Sequence, residues 1–415
     1  MNRKTLPPCF STGDPGSFAK NTMKKRKILI IEQVAGADQC PQDRRDALLA
    51  LKEEILGGTV FDPFDVNLRN CGLLEDKETE TWKKIIACYI GRSWFDIPFY
   101  FAEAYLYLRI LIAFGYFEQG SSTFGKDPFE KFKKHELLSR GGGLDTAKMV
   151  EGTLTALDES EDKWRTLILN CLWGNRIDLS MFHLVDRSRE KLFTDQEQNL
   201  LIDHSERLRE LLERAARIDV ILDNVGSELV CDLLLAWHLL SSSKASEVHL
   251  HAKKHPIYVS DAMQKDVQTT VREIADADDE ALSRIGKELM ELQEKGRFVV
   301  HLHYFWNSAL HYDELPREIH EELLDSNLVI LKGDVNYRRL LQDRRWDSWE
   351  RLEDLTPYFP SSFATLRTMK SEIAVDIQRE RAQRLSQIDP EWRVNGERGI
   401  IQVVERNLKK FIIRD

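Results

Sequence analysis

The stretch Ile218–Trp237, IDVILDNVGSELVCDLLLAW, runs five mostly apolar residues into Asp223-Asn224, then into Gly226, Glu228 and a long apolar-periodic segment. A short apolar run ending on an acid and an amide reads as a buried strand, and the segment behind it as a helix opening near Gly226. A strand that leads at once into a helix is half of a parallel crossover, because a parallel neighbour is reached only through a long return connection. Everything turns on whether this unit repeats.

It does, from about Lys163 onward. A helix is expected over Asp195–Arg217, with Leu200, Leu201, Leu208, Leu211 and Leu212 on one stripe. Strands are expected at EVHLHAK (Glu247–Lys253), IYVSDA (Ile257–Ala262), RFVVHLHYF (Arg297–Phe305) and Leu328–Lys332, separated by helices at Gly226–Leu240, Lys265–Glu294 and Arg317–Asp325. Residues 1 to 160 read as helical, with loops at Gly57-Gly58, Gly120-Ser121-Ser122 and Gly141-Gly142-Gly143. The last of these lacks both a preceding strand and a Lys-Ser/Thr ending, so it is read as a connector and not as a phosphate loop. The expected fold is α/β: a mostly parallel sheet flanked by helices in a Rossmann-like three-layer core (161–415) with a helical N-terminal region (1–160).

Composition narrows the function. The 69 acidic and 59 basic residues of the 415 give a net charge of −10, which argues against a nucleic-acid partner. Six scattered cysteines without a C-x-x-C pair point to a reducing compartment and no structural zinc. Pro7, Pro8 and Pro15 interrupt the basic start and no apolar core follows, so no secretory signal is expected. The apolar run Ile97–Phe117 carries Glu103 and Arg109 in its middle and reads as a buried helix, not a membrane span. A cytoplasmic monomer or small homo-oligomer is the expectation.

In open α/β sheets ligands bind at the carboxyl ends of the strands. Three expected strands end near aspartates there, Asp223, Asp261 and Asp334, and their carboxylates converge if the strands are neighbours. Asn224 adds a neutral oxygen, and Glu228 sits one turn into the next helix, facing the same mouth. Oxygen donors without cysteine suit a hard divalent cation such as Mg²⁺ or Mn²⁺. The plainer reading is helix capping, which any one of these residues satisfies and the whole set satisfies less well. KGDVNYRRL adds Lys332, Asn336, Tyr337, Arg338 and Arg339, and LRTMKS adds Arg367, Thr368, Lys370 and Ser371. Cations beside a metal describe a phosphate pocket.

At DNVGSE, VSDA, KGDVNYRRL and LRTMK the chain resembles the metal-dependent damage-control phosphatases, in the subfamily with an Arg-Thr-x-Lys motif. SFAKNTMKKR, Trp94–Ile110, DPFEKFK, LWGNRIDLS and WRVNGERGIIQ extend the resemblance over most of the chain, with departures at Asn307 and Phe99. The resemblance implies a metal held by Asp223, Asn224 and Asp261. It moves Asp334, a third possible ligand on the residues alone, to the substrate or the attacking water. Substrate contacts would fall to Asp223, Asn224, Glu228, Asp334, Asn336, Tyr337, Arg338 and Lys370, with Asp334, Glu228 and Asn224 closest to the chemistry. The implied activity is hydrolysis of a small phosphate ester, such as a fructose phosphate, with Mn²⁺, Ni²⁺, Co²⁺ or Mg²⁺.

One branch of the family carries a rival activity, carboxyl methylation with S-adenosylmethionine. The absence of a glycine-rich loop after the first α/β strand argues against it. A zinc site on the H-x-H pairs His249/His251 and His301/His303 is a further alternative; without a strand-end acid to complete either pair, they read as strand residues of mixed burial. A non-catalytic interaction protein with a degenerate site is opposed by the intact Asp-Asn, Glu, Asp and Lys set.

Overall fold

Side chains alternate along β2 (Arg217–Ile221) and β5 (Leu328–Lys332), sending successive residues to opposite faces of the sheet. In the computed structural model of the chain, which describes residues 6–64, 72–157, 161–174 and 199–406, both faces are covered. Ile218 and Val220 of β2 and Leu328 and Ile330 of β5 enter one apolar cluster. Ile221, Val329 and Leu331 enter the other. The first cluster is roofed by helices Gly143–Ala156, Glu161–Trp173, Ser205–Arg214, Ser227–Ser241, Gln264–Ala275 and Glu280–Glu294. The second is filled from helices Lys27–Gly36, Gln42–Gly57, Phe99–Phe114 and Arg317–Leu324. The result is three layers, helix, sheet and helix, with the helices of residues 27–114 on one face and Gly143–Ala156 on the other.

The sheet has seven strands in the order β1-β7-β6-β5-β2-β3-β4, where β1 is Leu200–Asp203, β3 Glu247–Ala252, β4 Phe298–Leu302, β6 Phe363–Thr368 and β7 Gly399–Val404. All pairings are parallel except β6 with β7. The chain steps outward from β2 through β3 to β4, then crosses back to place β5 on the other side of β2. Loops leaving β2 and β5 therefore diverge, and the crevice between them is where a ligand fits such a sheet.

Several local expectations change. The part of Asp195–Arg217 that is described, from residue 199, is not one helix: Leu200–Asp203 is a strand paired with β7 and the helix starts at Ser205, while residues 195–198 lie outside the described residues. Leucines carry no strand signal of their own, and the pairing with β7 is invisible locally. Ile257–Ala262 is not a strand, because Tyr258 and Val259 adopt left-handed backbone (φ 52° and 72°). The helix expected over Lys265–Glu294 breaks at Asp276, and Asp279 caps the second half by accepting from Ala281 N (3.1 Å) and Leu282 N (3.2 Å). β6 and β7, the latter antiparallel, were not anticipated.

Among the described residues no helix is long and apolar enough to cross a membrane. The apolar run near Ile97 is the buried helix Phe99–Phe114, and both its charges are paired. Arg109 donates to both carboxylate oxygens of Glu54 (2.8 and 2.7 Å) and to Tyr105 Oη (3.0 Å). Removing one partner strands the other in a poorly hydrated place, so Arg109→Ala should cost on the order of 3–5 kcal/mol in urea unfolding. A loss well under 1 kcal/mol would mean that the pair is effectively solvated.

Candidate active site

β2 ends at Ile221, and the chain beyond it is held by a second loop. Asp223 O accepts from Ala262 N (2.8 Å), and Val225 N donates to Ser260 O (2.8 Å), forming an antiparallel bridge between Asn224 and Asp261. Asp261 thus reaches β2 from a loop, not from a strand end. That loop contains left-handed Tyr258 and Val259, an expensive conformation for a β-branched residue, which the surroundings must impose. Asn307 anchors its start: Oδ1 accepts from Lys254 N (2.8 Å) and His255 N (3.2 Å), and Nδ2 donates to His255 O (2.8 Å).

The bridge gathers acids around one amide. Asn224 Nδ2 donates to Asp223 Oδ2 (2.6 Å) and Glu228 Oε2 (3.1 Å), while Asn224 Oδ1 accepts from Ser260 Oγ (2.5 Å). Asp223 Oδ1 and Asp261 Oδ2 are buried and make no hydrogen bond; Lys253 Nζ lies 3.4 Å from the latter. Burial, then the charges of Glu228 and Asp261, push the Asp223 carboxyl well above the usual range. Burial likewise raises Asp261 to about 6 against the pull of Lys253. Buried oxygens that make no hydrogen bond, beside other acids, are what an oxygen-preferring cation satisfies. Asp223, Asn224 and Asp261 fit such an ion by donor type, and Asp223 and Asp261 also by these unbonded oxygens.

Gly333 makes room for the cluster. It follows β5 with φ 77°, and a Cβ there would fall 1.9 Å from Asp223 Oδ2, so only glycine lets the two loops approach this closely. Helix Gly333–Leu340 then carries Asp334 to the cavity. Asp334 Oδ1 is held by Arg367 Nε (2.7 Å), Lys370 N (3.1 Å) and Ser371 Oγ (3.1 Å). This accounts for the Arg-Thr-x-Lys segment residue by residue. Arg367 is fully buried against the Tyr337 ring (4.2 Å) and fixes Asp334, Thr368 donates to Leu172 O (3.1 Å) at the cavity wall, and Lys370 faces the cavity.

The cavity measures about 260 Å³ and is lined by Asp223, Asn224, Glu228, Asp261, Asp334, Arg338 and Lys370 among others. Asn336 and Tyr337, expected at the substrate, are wholly buried and absent from its walls. Asn336 Nδ2 instead donates to Lys332 O (2.8 Å) and Leu222 O (3.3 Å), tying the helix to the end of β2. Lys332 is buried beneath the site, 2.8 Å from Asp232 Oδ1 and 3.4 Å from Glu228 Oε1. The far wall lies outside the predicted site residues: Phe18, Thr22, Arg26, Lys27, Glu103 and Tyr107 come from the N-terminal helices. Thr22–Arg26 is a π-helical turn, a distortion common where a helix meets a ligand. Glu103 joins Lys27 Nζ (2.7 Å) and Arg338 Nη1 (2.5 Å); burial raises its carboxyl, but these two cations outweigh it and hold it at about 2.

An acid- and amide-lined cavity rimmed by Arg and Lys, at the switch point of a three-layer α/β sheet, is the arrangement a phosphate-ester enzyme requires. Residues 22–385 match the model of the damage-control phosphatase ARMT1-like domain, and the chain belongs to that family. It is similar to the human damage-control phosphatase ARMT1, 31% identical and aligned over 96% of this chain and 98% of that protein. The mouse protein of the same name is 31% identical over 74% of each chain. The crystal structure of a DUF89 family protein from Pyrococcus horikoshii covers 92% of this chain and 96% of that one, with a TM-score of 0.47 and 18% identity.

A carboxyl whose folded pKa lies above its unfolded one stabilises the fold below the ordinary carboxylate value, about 4, and that contribution is lost as pH rises through the folded value. With chelator present, Asp223→Asn should therefore melt above the natural protein at pH 8, with the difference closing toward pH 4. A lower melting temperature at both pH values would show that the Asp223 charge is already compensated within the protein.

Proposed function

We propose that the chain hydrolyses small phosphomonoesters, sugar phosphates such as fructose phosphates among them, in metabolite repair, with Asp223, Asn224 and Asp261 holding a divalent cation. The observation that carries this reading is the pair of buried oxygens on Asp223 and Asp261 that make no hydrogen bond, the second with Lys253 Nζ 3.4 Å away, within a cavity that also presents Lys370. A bound divalent ion would polarise a phosphoryl oxygen and acidify an attacking water. Lys370 and Arg338 place positive charge where phosphoryl oxygens would sit, and Arg338 is kept in place by Asp343, which accepts from Nε and Nη2 (both 2.9 Å). Asp334 has one oxygen fixed by three donors, which orients the carboxylate toward a water or a substrate hydroxyl. Glu228, bridged between Asn224 and Lys332, is the second group able to hold a proton at the mouth. Asn336 and Tyr337 act in this reading only through what they position.

The S-adenosylmethionine alternative is not favoured. The turn after β2 presents an acid and an amide where a dinucleotide-type cofactor needs close backbone approach, and methyl transfer has no use for a cation site. A cytoplasmic location, a monomeric or small homo-oligomeric state and no nucleic-acid partner complete the proposal.

A panel of sugar phosphates and p-nitrophenyl phosphate, assayed with Mn²⁺, Ni²⁺, Co²⁺ or Mg²⁺, should show turnover that chelator removes. Asp223→Ala should lose at least a thousandfold in kcat/KM while staying folded, and full turnover at saturating metal would refute its role. Lys370→Ala should raise KM more than it lowers kcat, and an unchanged KM would remove it from the phosphate contacts.

A further inference from the structure

The histidines on β3 and β4 take no part in the cavity, yet three of their rings meet elsewhere on the sheet. His249 and His251 leave β3 on one face, and His301 is the register partner of His251 on β4. Helix Arg317–Leu324 contributes Glu322 to the same place, an acid that reaches His301 from outside the sheet. One donor atom from each of His249, His301 and Glu322 lies within 4.8 Å of the other two.

The contacts among them are short of a proton. Glu322 Oε1 is 2.8 Å from His301 Nδ1, His301 Nε2 is 3.0 Å from His249 Nδ1, and His249 Nε2 is 3.0 Å from Glu247 Oε2. Three such contacts need three protons, and two neutral imidazoles bring two. The charges nearby also call for a cation. Glu247, Glu322 and Asp219 share one permanent cation, Arg217, whose guanidinium is bonded to both Asp219 oxygens (2.9 and 3.0 Å) and lies 3.8 Å from Glu322, while His251 Nε2 lies 2.8 Å from Asp219 Oδ1. These four groups carry a net charge of −2, three carboxylates against one guanidinium.

We propose that His249, His301 and Glu322 form a second metal site, for a borderline divalent ion such as Zn²⁺, distinct from the oxygen-lined cavity. Two imidazoles and a carboxylate are donors that Zn²⁺ accepts, leaving a position for water. Bonds of roughly 2.0–2.1 Å separate tetrahedral ligands by about 3.3 Å, so the closest pair must open slightly and the widest must close. Glu247 accepts from the second nitrogen of His249, the outer contact that ordinarily orients a ligating imidazole. The His301 and Glu322 side chains are 28% and 23% exposed, which gives an ion a way in. Bound there, it would pin edge strand β4 and the helix carrying Glu322 to β3.

The test is Zn²⁺ titration of metal-stripped full-length protein, followed by calorimetry and by elemental analysis after desalting. In an Asp223→Asn/Asp261→Asn background, which disables the cavity ligands, one equivalent of Zn²⁺ should remain bound and raise the melting temperature. Adding His301→Ala or the milder Glu322→Gln should weaken that binding tenfold or more, and in the natural background Glu322→Gln should leave phosphatase activity unchanged. No retained equivalent in the double variant, or affinity unaffected by both changes, overturns the site and assigns the contacts to a protonated imidazole pair. Neither result bears on the cavity, whose role stands or falls with the phosphatase assay.

Discussion

Asp223 lies against the backbone of Gly333, and the site depends on this contact. It joins the loop leaving β2 to the loop leaving β5, the two strands between which the sheet order reverses. Any side chain at residue 333 would drive them apart, since a Cβ would overlap the carboxylate itself. With the loops together, the acid that follows β2 and the acid that opens the helix after β5 share one cavity. The crevice that doubly wound topology provides is thereby narrowed to the size of a small ligand.

Around that contact the molecule concentrates unfavourable terms and supports them from below. Asp223 and Asp261 are desolvated acids with raised carboxyls, and Tyr258 and Val259 hold a backbone conformation they would not adopt alone. Beneath them sits a tier of paired charge. Lys332 bridges Asp232 and Glu228, Arg367 stacks on Tyr337 and fixes Asp334, and Asn307 clamps the loop that delivers Asp261. A well-connected lower layer lets the upper one remain electrostatically unfinished until a ligand arrives.

How much of this was legible follows from how local each signal is. β2, β3, β4 and β5 announced themselves as apolar runs between helical periods, and with them came the fold class and the carboxyl-end position of Asp223, Asn224, Glu228 and Asp334. Asp261 was placed near Asp223 for an incomplete reason: its segment looks like a strand, but what brings it to Asn224 is a pair of backbone hydrogen bonds across 37 residues of sequence. Asn336 and Tyr337 share a motif with Asp334 and Arg338, and spacing within a helix does not tell which residues face the ligand until the helix is docked. β6 and β7 were missed because their pairing partners are distant. The residues of the N-terminal wall were left out of the site for the same reason, since which of them face the cavity is decided only when those helices pack.

Glu103 shows why the N-terminal helices belong to the site. As a lone acid in an apolar helix it reads as half of a structural ion pair, and in part it is one. Its partners, however, are Lys27 and Arg338, which approach from a helix of the N-terminal region and from the helix after β5, and all three line the cavity. Glu103 neutralises part of the charge of two cations that face the ligand, and Asp343 holds the rest of Arg338. The positive rim that a phosphate would meet is therefore set jointly by the sheet and by the helices packed over it. Neither layer fixes the position or the net charge of Arg338 without the other, so the cavity is a property of the packed three-layer whole and not of the sheet edge alone.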